Sequence, residues 1–216
     1  NYSKVSEKLN TIASVNITLK NHDGNNVNLN SFFGDKPVII NMAYYTCPKL
    51  CHLITDGLTQ VLSTFSENQL KEVQIITLSF DHRETELTAT AFRDKYLGKL
   101  SESINGDSIN WEFLYGDSSQ VEQFTNSIGY NFFFNSKSDQ FSHPSVLIFL
   151  TPAAKVSRYL YGIIYDKFDV KLSLIEARKN KSLSTVESMI LFCYNYDPDE
   201  KGYVLEAVKL MKFSAF

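Results

Sequence analysis

Apolar residues run without a break through Pro37-Val38-Ile39-Ile40-Asn41-Met42-Ala43-Tyr44, apart from Asn41. Such a run predicts a strand buried on both faces. Leu50, Ile54, Leu58, Val61, Leu62 and Phe65 then recur at helical spacing, which predicts an amphipathic helix. Val73-Gln74-Ile75-Ile76-Thr77-Leu78-Ser79-Phe80 reads as a second buried strand, and residues 85–96 as a crossover helix. Strand, helix, strand in this order implies a right-handed parallel unit. Residues 111–115 form a short strand. Asp117 with Gln120 three positions on has the pattern of a capping box, opening a helix to about Ile128. Residues 146–150 and 156–161 flank Thr151-Pro152-Ala153-Ala154, an antiparallel hairpin pattern. Residues 166–179 look helical.

This order predicts an α/β, thioredoxin-like fold, with a central mixed sheet flanked by helices, over residues 1–181. Residues 182–216 read as a C-terminal helical extension packed on it. Ser184 and Glu187 suggest a capping box, and Met189-Ile190-Leu191-Phe192 continues a helix. Asn195-Tyr196-Asp197-Pro198-Asp199 breaks it, and residues 204–212 suggest a last amphipathic helix.

Composition adds exclusions. Of 216 residues, 44% are hydrophobic and 21% charged, with 12 Tyr and 16 Phe, so a folded core is expected rather than disorder. A net charge of -3, mixed along the chain, gives no basic surface for nucleic acid. No run of 18 apolar residues occurs, so attachment to a membrane needs an anchor outside this chain. The opening Asn1-Tyr2-Ser3-Lys4 reads as a mature or trimmed start.

Three cysteines, 47, 51 and 193, are too few and too uneven for a disulfide scaffold. Cys47 and Cys51 sit where the first buried strand hands over to a helix, and residues four apart share a helix face. Pro48 suits the first helical position. The free N–H groups of a helix start favour thiolates, and two thiolates on one face make a soft site suited to Cu(I). Two small buried fillers are the plain alternative. A structural zinc site lacks a second cysteine pair. The adjacent His52 does not complete a haem-attachment signature, whose cysteines stand two residues apart; it reads as a helix-surface residue. His143, before Pro144 and the strand at 146–150, offers an imidazole as third ligand, and the set suits copper in both oxidation states. A loop histidine bonded only to backbone is the alternative. Asp81 and His82, at the end of the second strand, are weaker candidates. His22 lies in the turn-like His22-Asp23-Gly24-Asn25. Cys193 reads as a structural cysteine.

The chain resembles the Sco/SenC family, copper-handling proteins needed to build the CuA centre of cytochrome oxidase. The resemblance rests on Tyr45-Thr46-Cys47-Pro48-Lys49-Leu50-Cys51, on Ser79-Phe80-Asp81 ahead of Arg83-Glu84-Thr85, and on His143 ahead of Val146-Leu147-Ile148-Phe149-Leu150-Thr151-Pro152. It covers roughly residues 15 to 165. Arg158-Tyr159-Leu160-Tyr161-Gly162 and Cys193-Tyr194-Asn195-Tyr196-Asp197-Pro198 are similar to a longer bacterial branch. It implies copper as Cu(I) or Cu(II), ligands Cys47, Cys51 and His143, and a membrane-anchored protein on the periplasmic or extracytoplasmic face of the cell envelope. It also implies a partner: the CuA-bearing subunit of cytochrome oxidase or another copper acceptor. Asn195 stands where relatives often carry His, and Ser142 where many carry Asp. The resemblance therefore implies neither a C-terminal metal site nor a carboxylate behind His143.

Two functions follow. One is a metallochaperone assisting CuA assembly. The other is a thiol–disulfide oxidoreductase cycling the Cys47/Cys51 redox pair, since a low-pKa thiolate is both ligand and nucleophile. A peroxidase would need an Arg and a Thr arranged around one Cys, and no convincing set is present.

Overall fold

The expected β-α-β unit sits at the centre of the computed structural model, which describes residues 4–102, 109–178, 194–197 and 202–205. In chain order the elements are β1 (Thr18–Asn21), β2 (Asn26–Asn28), β3 (Val38–Ala43), α1 (Leu50–Leu62), α2 (Glu67–Lys71), β4 (Gln74–Ser79), α3 (Glu86–Ser101) and β5 (Asn110–Tyr115). Then come α4 (Ser118–Ser127), β6 (Phe133–Asn135), β7 (Gln140–Ser142), β8 (Val146–Leu150), β9 (Val156–Tyr161), α5 (Lys167–Ala177), β10 (Tyr194–Asp197) and β11 (Gly202–Leu205). Among the described residues, seven strands form one sheet in the order β2-β1-β5-β4-β3-β8-β9. β3, β4 and β5 run parallel, and the strands on either side of them are antiparallel. The sheet is mixed, as expected.

The continuous apolar runs explain the centre. All six residues of β3 and all five of β8 are buried. Ile54, Leu58, Val61 and Leu62 present the buried face of α1. Asn41, the polar interruption in β3, is fully buried. Its amide donates to the Thr55 and Thr77 hydroxyls, at 3.0 and 3.2 Å, and the Trp111 indole donates to Thr77 at 2.9 Å. This shared network ties β3, α1, β4 and β5 without leaving those donors unpaired. Gly57 is required by packing: a Cβ there would sit 2.1 Å from the Ile163 carbonyl oxygen.

The register places the functional loops. Val38 pairs with Gln74 and Ala43 with Ser79, so β3 and β4 end level. Phe80 N–H then donates to Ala43 C=O at 2.9 Å. The segment after β3, which carries both cysteines, therefore starts beside the segment after β4, at residues 80–85. β8 lies on the other side of β3 and brings its preceding loop, with His143, to the same end.

Several local expectations change. Asp117 is the N-cap of α4 but makes no side-chain cap bond, and Gln120 does not close a capping box. Its side-chain oxygen accepts Thr18 N–H at 3.0 Å, so tethering β1 wins over capping. α3 runs to Ser101, beyond the expected Tyr96. The turn at residues 22–25 joins β1 to β2, with Gly24 at φ +77°, a conformation that costs glycine little. β10 and β11 pair antiparallel, Tyr194 with Leu205. Val204, expected to open a last helix, is therefore in a strand: the aromatic and β-branched residues on either side of 198–201 suit mutual pairing. The Ser184 capping box, the helix through Phe192, Cys193 and residues 206–212 lie outside the described residues.

Candidate metal centre

Cys47 belongs to a turn between β3 and α1, closed by Cys47 N–H donating to Tyr44 C=O at 3.1 Å. α1 starts at Leu50, with Lys49 as N-cap at φ −152°, so Pro48 lies ahead of the helix and not at its first position. The turn needs that extra length to fold Cys47 back over the helix start. There its sulfur accepts Cys51 N–H at 3.3 Å. That amide is one of the donors a helix start leaves without an internal acceptor, and Lys49 supplies no side-chain cap. Cys51 lies in the first turn of α1, and its sulfur accepts Tyr44 N–H at 3.3 Å. Each sulfur is thus fixed by a backbone N–H, and both thiols are free.

His143 follows β7 directly. Its Nε2 lies 3.3 Å from Cys51 Sγ, and its Nδ1 lies 3.1 Å from the Tyr130 hydroxyl and 3.2 Å from Pro144 C=O. Tyr130 O–H also donates to Pro144 C=O at 3.2 Å. A metal-binding tautomer is available to the ring: with Nδ1–H donating to the tyrosine oxygen and the carbonyl, the Nε2 lone pair faces the sulfurs. A ligating histidine held by its second nitrogen in this way has its tautomer fixed. Tyr44 and Phe80 enclose the ring, with centroids at 6.0 and 5.2 Å.

Sγ of Cys47, Sγ of Cys51 and a ring nitrogen of His143 all lie within 4.8 Å of one another, and all three residues are buried. Among the described residues this is the one group of His, Cys, Asp and Glu side chains with donor atoms so close. An open cavity of about 320 Å³ leads to it, lined by Tyr44, Cys47, Pro48, Lys49, Phe141 and His143. Cys47 reaches that cavity; Cys51 is fully buried behind it.

The sulfurs differ electrostatically. The Cys51 thiol, followed by His143 and the backbone N–H groups of Cys51 and Lys49, brings the Cys47 thiol down to about 3, against the opposing effect of burial. Burial pushes Cys51 up, and the negative charge on Cys47 adds to it. Of the two sulfurs, Cys47 is the one that favours the thiolate. Two sulfurs and one imidazole form a soft, three-donor set.

The other candidates lie elsewhere. Asp81 is buried and committed to Arg83. His82 is exposed and lines a separate polar cavity of about 440 Å³ with Lys20, Glu84, Tyr115 and Asp117. His22 lies 3.5 Å from Asp23. His52 is half-buried rather than a surface residue: it stacks on Phe92 and its Nδ1 lies 2.7 Å from the Tyr96 hydroxyl. Burial, followed by Lys95, pushes its pKa down. Sequence reasoning missed Tyr130. It stands 13 residues before His143 in the aromatic run Tyr130-Asn131-Phe132-Phe133-Phe134, where nothing in the sequence marks one ring as a partner for an imidazole.

A family model described as SCO1/SenC matches residues 7–167. A search of curated proteins by sequence finds no match. Among solved structures, a protein from Aquifex aeolicus VF5 is 26% identical, with a TM-score of 0.68 over 80% of this chain and 95% of that one. BsSco, a member of the Sco family of cytochrome c oxidase assembly proteins, is 22% identical, with a TM-score of 0.61 over 81% and 98%. ScoI of Arabidopsis thaliana, solved with copper bound, is 17% identical, with a TM-score of 0.57 over 76% and 97%.

Proposed function

The chain belongs to the SCO1/SenC family, and from that premise we propose that it is a copper-binding metallochaperone which assists assembly of the CuA centre of cytochrome c oxidase. Copper is the cargo, held by Cys47 Sγ, Cys51 Sγ and His143 Nε2. The observation that carries this reading is the convergence of two free, buried thiols and one imidazole within 4.8 Å at the end of a cavity. Thiolates suit Cu(I), and an imidazole extends the set to Cu(II). A closed structural zinc site calls for a fourth protein ligand, and among the described residues the group has three.

This chain's own residues prepare the site for loading. Cys47 favours the thiolate, and loading releases the thiol protons that remain into the cavity. Tyr130 and Pro144 hold the His143 ring with Nε2 toward the sulfurs. Oxidation of the two thiols to a disulfide removes both soft donors, so binding is gated by redox state.

Solved ScoI proteins from Arabidopsis thaliana and Bradyrhizobium japonicum carry copper, and a Bacillus anthracis SCO1/SenC relative is a lipoprotein. Among the described residues no helix is long and apolar enough to cross a membrane. The lipoprotein relative supports a membrane-anchored location on the extracytoplasmic face of the envelope. The proposed recipient is a CuA-bearing subunit, by analogy with BsSco, a member of a family of cytochrome c oxidase assembly proteins.

Metal content, measured against free thiols, tests the proposal. The reduced protein should retain one equivalent of copper and the oxidised protein none. Stoichiometric, tight binding by a Cys47→Ala, Cys51→Ala double variant would end it.

One observation favours a second reading. Cys47 reaches the cavity with its thiol pKa lowered, while Cys51 lies buried behind it with its pKa raised, the arrangement of an attacking and a resolving cysteine. A His143→Ala variant that delivers copper normally but loses disulfide exchange with a partner protein would establish the oxidoreductase instead.

A further inference from the structure

The loop after β4 touches both halves of the donor set. Glu84 is buried, and one of its carboxylate oxygens accepts Tyr45 N–H at 2.6 Å, Thr46 N–H at 3.1 Å and the Thr46 hydroxyl at 3.3 Å. These are the two residues before Cys47. The other carboxylate oxygen, Oε2, is buried with no hydrogen-bond partner. Glu84 thus commits one carboxylate oxygen to the backbone of the cysteine turn.

Arg83, one residue earlier, reaches the opposite way. Its Nε and Nη2 grip the buried Asp81 carboxylate at 2.7 to 3.1 Å, which fixes the guanidinium plane. Against that plane lie the rings of Phe134 and Phe141, at 5.0 and 5.7 Å. Nη1 reaches Asp139 at 3.3 Å, an exposed pair of little energetic weight. Phe134 and Phe141 face each other across the β6–β7 hairpin, and His143 is two residues beyond Phe141. The stacking thus joins the contacts of Phe141 with Tyr44 and Phe80, at 5.3 and 5.5 Å, in holding the hairpin that leads to the histidine.

We infer that residues 81–84 form a bracket, in which Glu84 positions the turn carrying Cys47, Arg83 positions the hairpin carrying His143, and the rigid end of β4 sets the distance between sulfur and imidazole. This rests on the copper-site reading above and deepens it: Glu84 and Arg83 are positioning residues that touch no metal. The bracket is anchored because Phe80 is bonded to Ala43, Asp81 N–H donates to Ser79 Oγ at 3.2 Å, and Glu84 N–H donates to Asp81 C=O at 3.2 Å.

The test compares Glu84→Gln with Arg83→Gln, first without metal. Amide hydrogen exchange is read at Tyr45 and Thr46 and at the hairpin residues Phe133 and Ser142. Glutamine keeps an acceptor but loses the charge. Glu84→Gln should therefore speed exchange at Tyr45 and Thr46 by about tenfold and leave the hairpin unchanged. Arg83→Gln should do the reverse. With copper, Glu84→Gln should weaken Cu(I) binding by about tenfold, as supporting partners of ligands do. Arg83→Gln should leave Cu(I) affinity within about threefold while altering the thiolate-to-Cu(II) absorption that reports the imidazole. Equal changes in both segments from either variant would mean general destabilisation and overturn the bracket, as would no change from either. Failure of the unaltered protein to bind copper would instead overturn the proposed function, and the exchange pattern would still decide the bracket. Asp81→Asn gives a third check: it keeps the side-chain shape, weakens the grip on Arg83, and should reproduce the Arg83→Gln pattern.

Discussion

The two loops that meet at the donor set are built to different standards. The cysteine loop leaves β3, which is buried throughout and bonded to β4 on one edge and β8 on the other, and it feeds directly into α1. The histidine loop leaves β7, a three-residue strand with no buried position, paired only with β6 in a two-stranded ribbon outside the main sheet. Only its far end, β8, is anchored in the core. The dithiol half is therefore set by the fold, whereas the imidazole half is set by a hairpin and a few contacts. Local stability follows buried contacts and paired backbone, so the sulfurs are the more firmly held donors and the histidine the less firmly held one.

The harshest way to break this comparison is to remove a sulfur. Cys47→Ala and Cys51→Ala should each abolish tight Cu(I) retention, measured by competition with a chromogenic chelator, because one thiolate and one imidazole are a poor Cu(I) site. Their effects on stability should differ. Cys51 is fully buried and accepts Tyr44 N–H, so Cys51→Ala leaves that amide unpaired at a cost of about 1–3 kcal/mol. Cys47→Ala frees only Cys51 N–H at a helix start next to the cavity. Equal losses in urea midpoint would contradict the layered arrangement of the two sulfurs.

Removing the imidazole should act less. His143→Ala should weaken Cu(II) binding by at least about tenfold and Cu(I) by less, because the thiolates remain the soft donors. The same variant should leave amide exchange in α1 unchanged. If α1 loosened, the two loops would be one cooperative unit rather than a more firmly and a less firmly held half.

That asymmetry also explains what could be read from the sequence. The cysteine half was legible because its signals are local: a continuous apolar run, two thiols four apart, and helical periodicity all fall within residues 37–65. β8 and β9 were legible for the same reason, with their hairpin turn in between. Placing His143 required the topology, because it lies 92 residues from Cys51 and meets it only through the pairing of β8 with β3. Tyr130 and Glu84 act through contacts that no sequence periodicity encodes. Gln120 shows the opposite failure. A correct local capping pattern was overridden by a tertiary bond to Thr18, and a side chain that can cap a helix can also tie a strand. In β11, Val204 reads as helical in the sequence because its pairing partner in β10 lies across residues 198–201, beyond the reach of a one-strand pattern.

The pH dependence of stability sharpens the contrast between the two sulfurs. Cys47 is held at about 3 in the folded chain, against an ordinary thiol value of 9.0. Between those values the unfolded chain carries a proton on this sulfur and the folded chain does not. Stability from Cys47 therefore rises with pH across this window, is complete above about 9, and is lost as pH falls through about 3. Cys51 has the opposite sign: its raised pKa keeps the folded thiol protonated where the unfolded one ionises, so it lowers stability as pH rises above 9.0. The urea midpoint of the reduced protein, compared with Cys47→Ser, should separate progressively from about pH 4 to about pH 8. A constant difference would return Cys47 to an ordinary thiol and remove the distinction between the two sulfurs.

The smallest effect should come from Tyr130→Phe, and it isolates the histidine half alone. Tyr130 is buried, and its hydroxyl makes two contacts, with His143 Nδ1 and with Pro144 C=O. Phenylalanine keeps the ring packed against Phe80 and Phe132, so the lost hydroxyl is the whole perturbation. His143 Nδ1–H still has Pro144 C=O at 3.2 Å as acceptor, so neither partner is left stranded and the cost should be about 1 kcal/mol. With one of its two Nδ1 contacts gone, the imidazole is less firmly aimed, and because the tautomer survives through the carbonyl, Nε2 still faces the sulfurs. Cu(I) retention by Tyr130→Phe should match the unaltered protein, while the Cu(II) absorption band should broaden and Cu(II) affinity fall by a few-fold, roughly the equivalent of one neutral hydrogen bond. Loss of Cu(I) binding on this substitution would show that the histidine loop, rather than the thiol pair on its buried strand, governs the site.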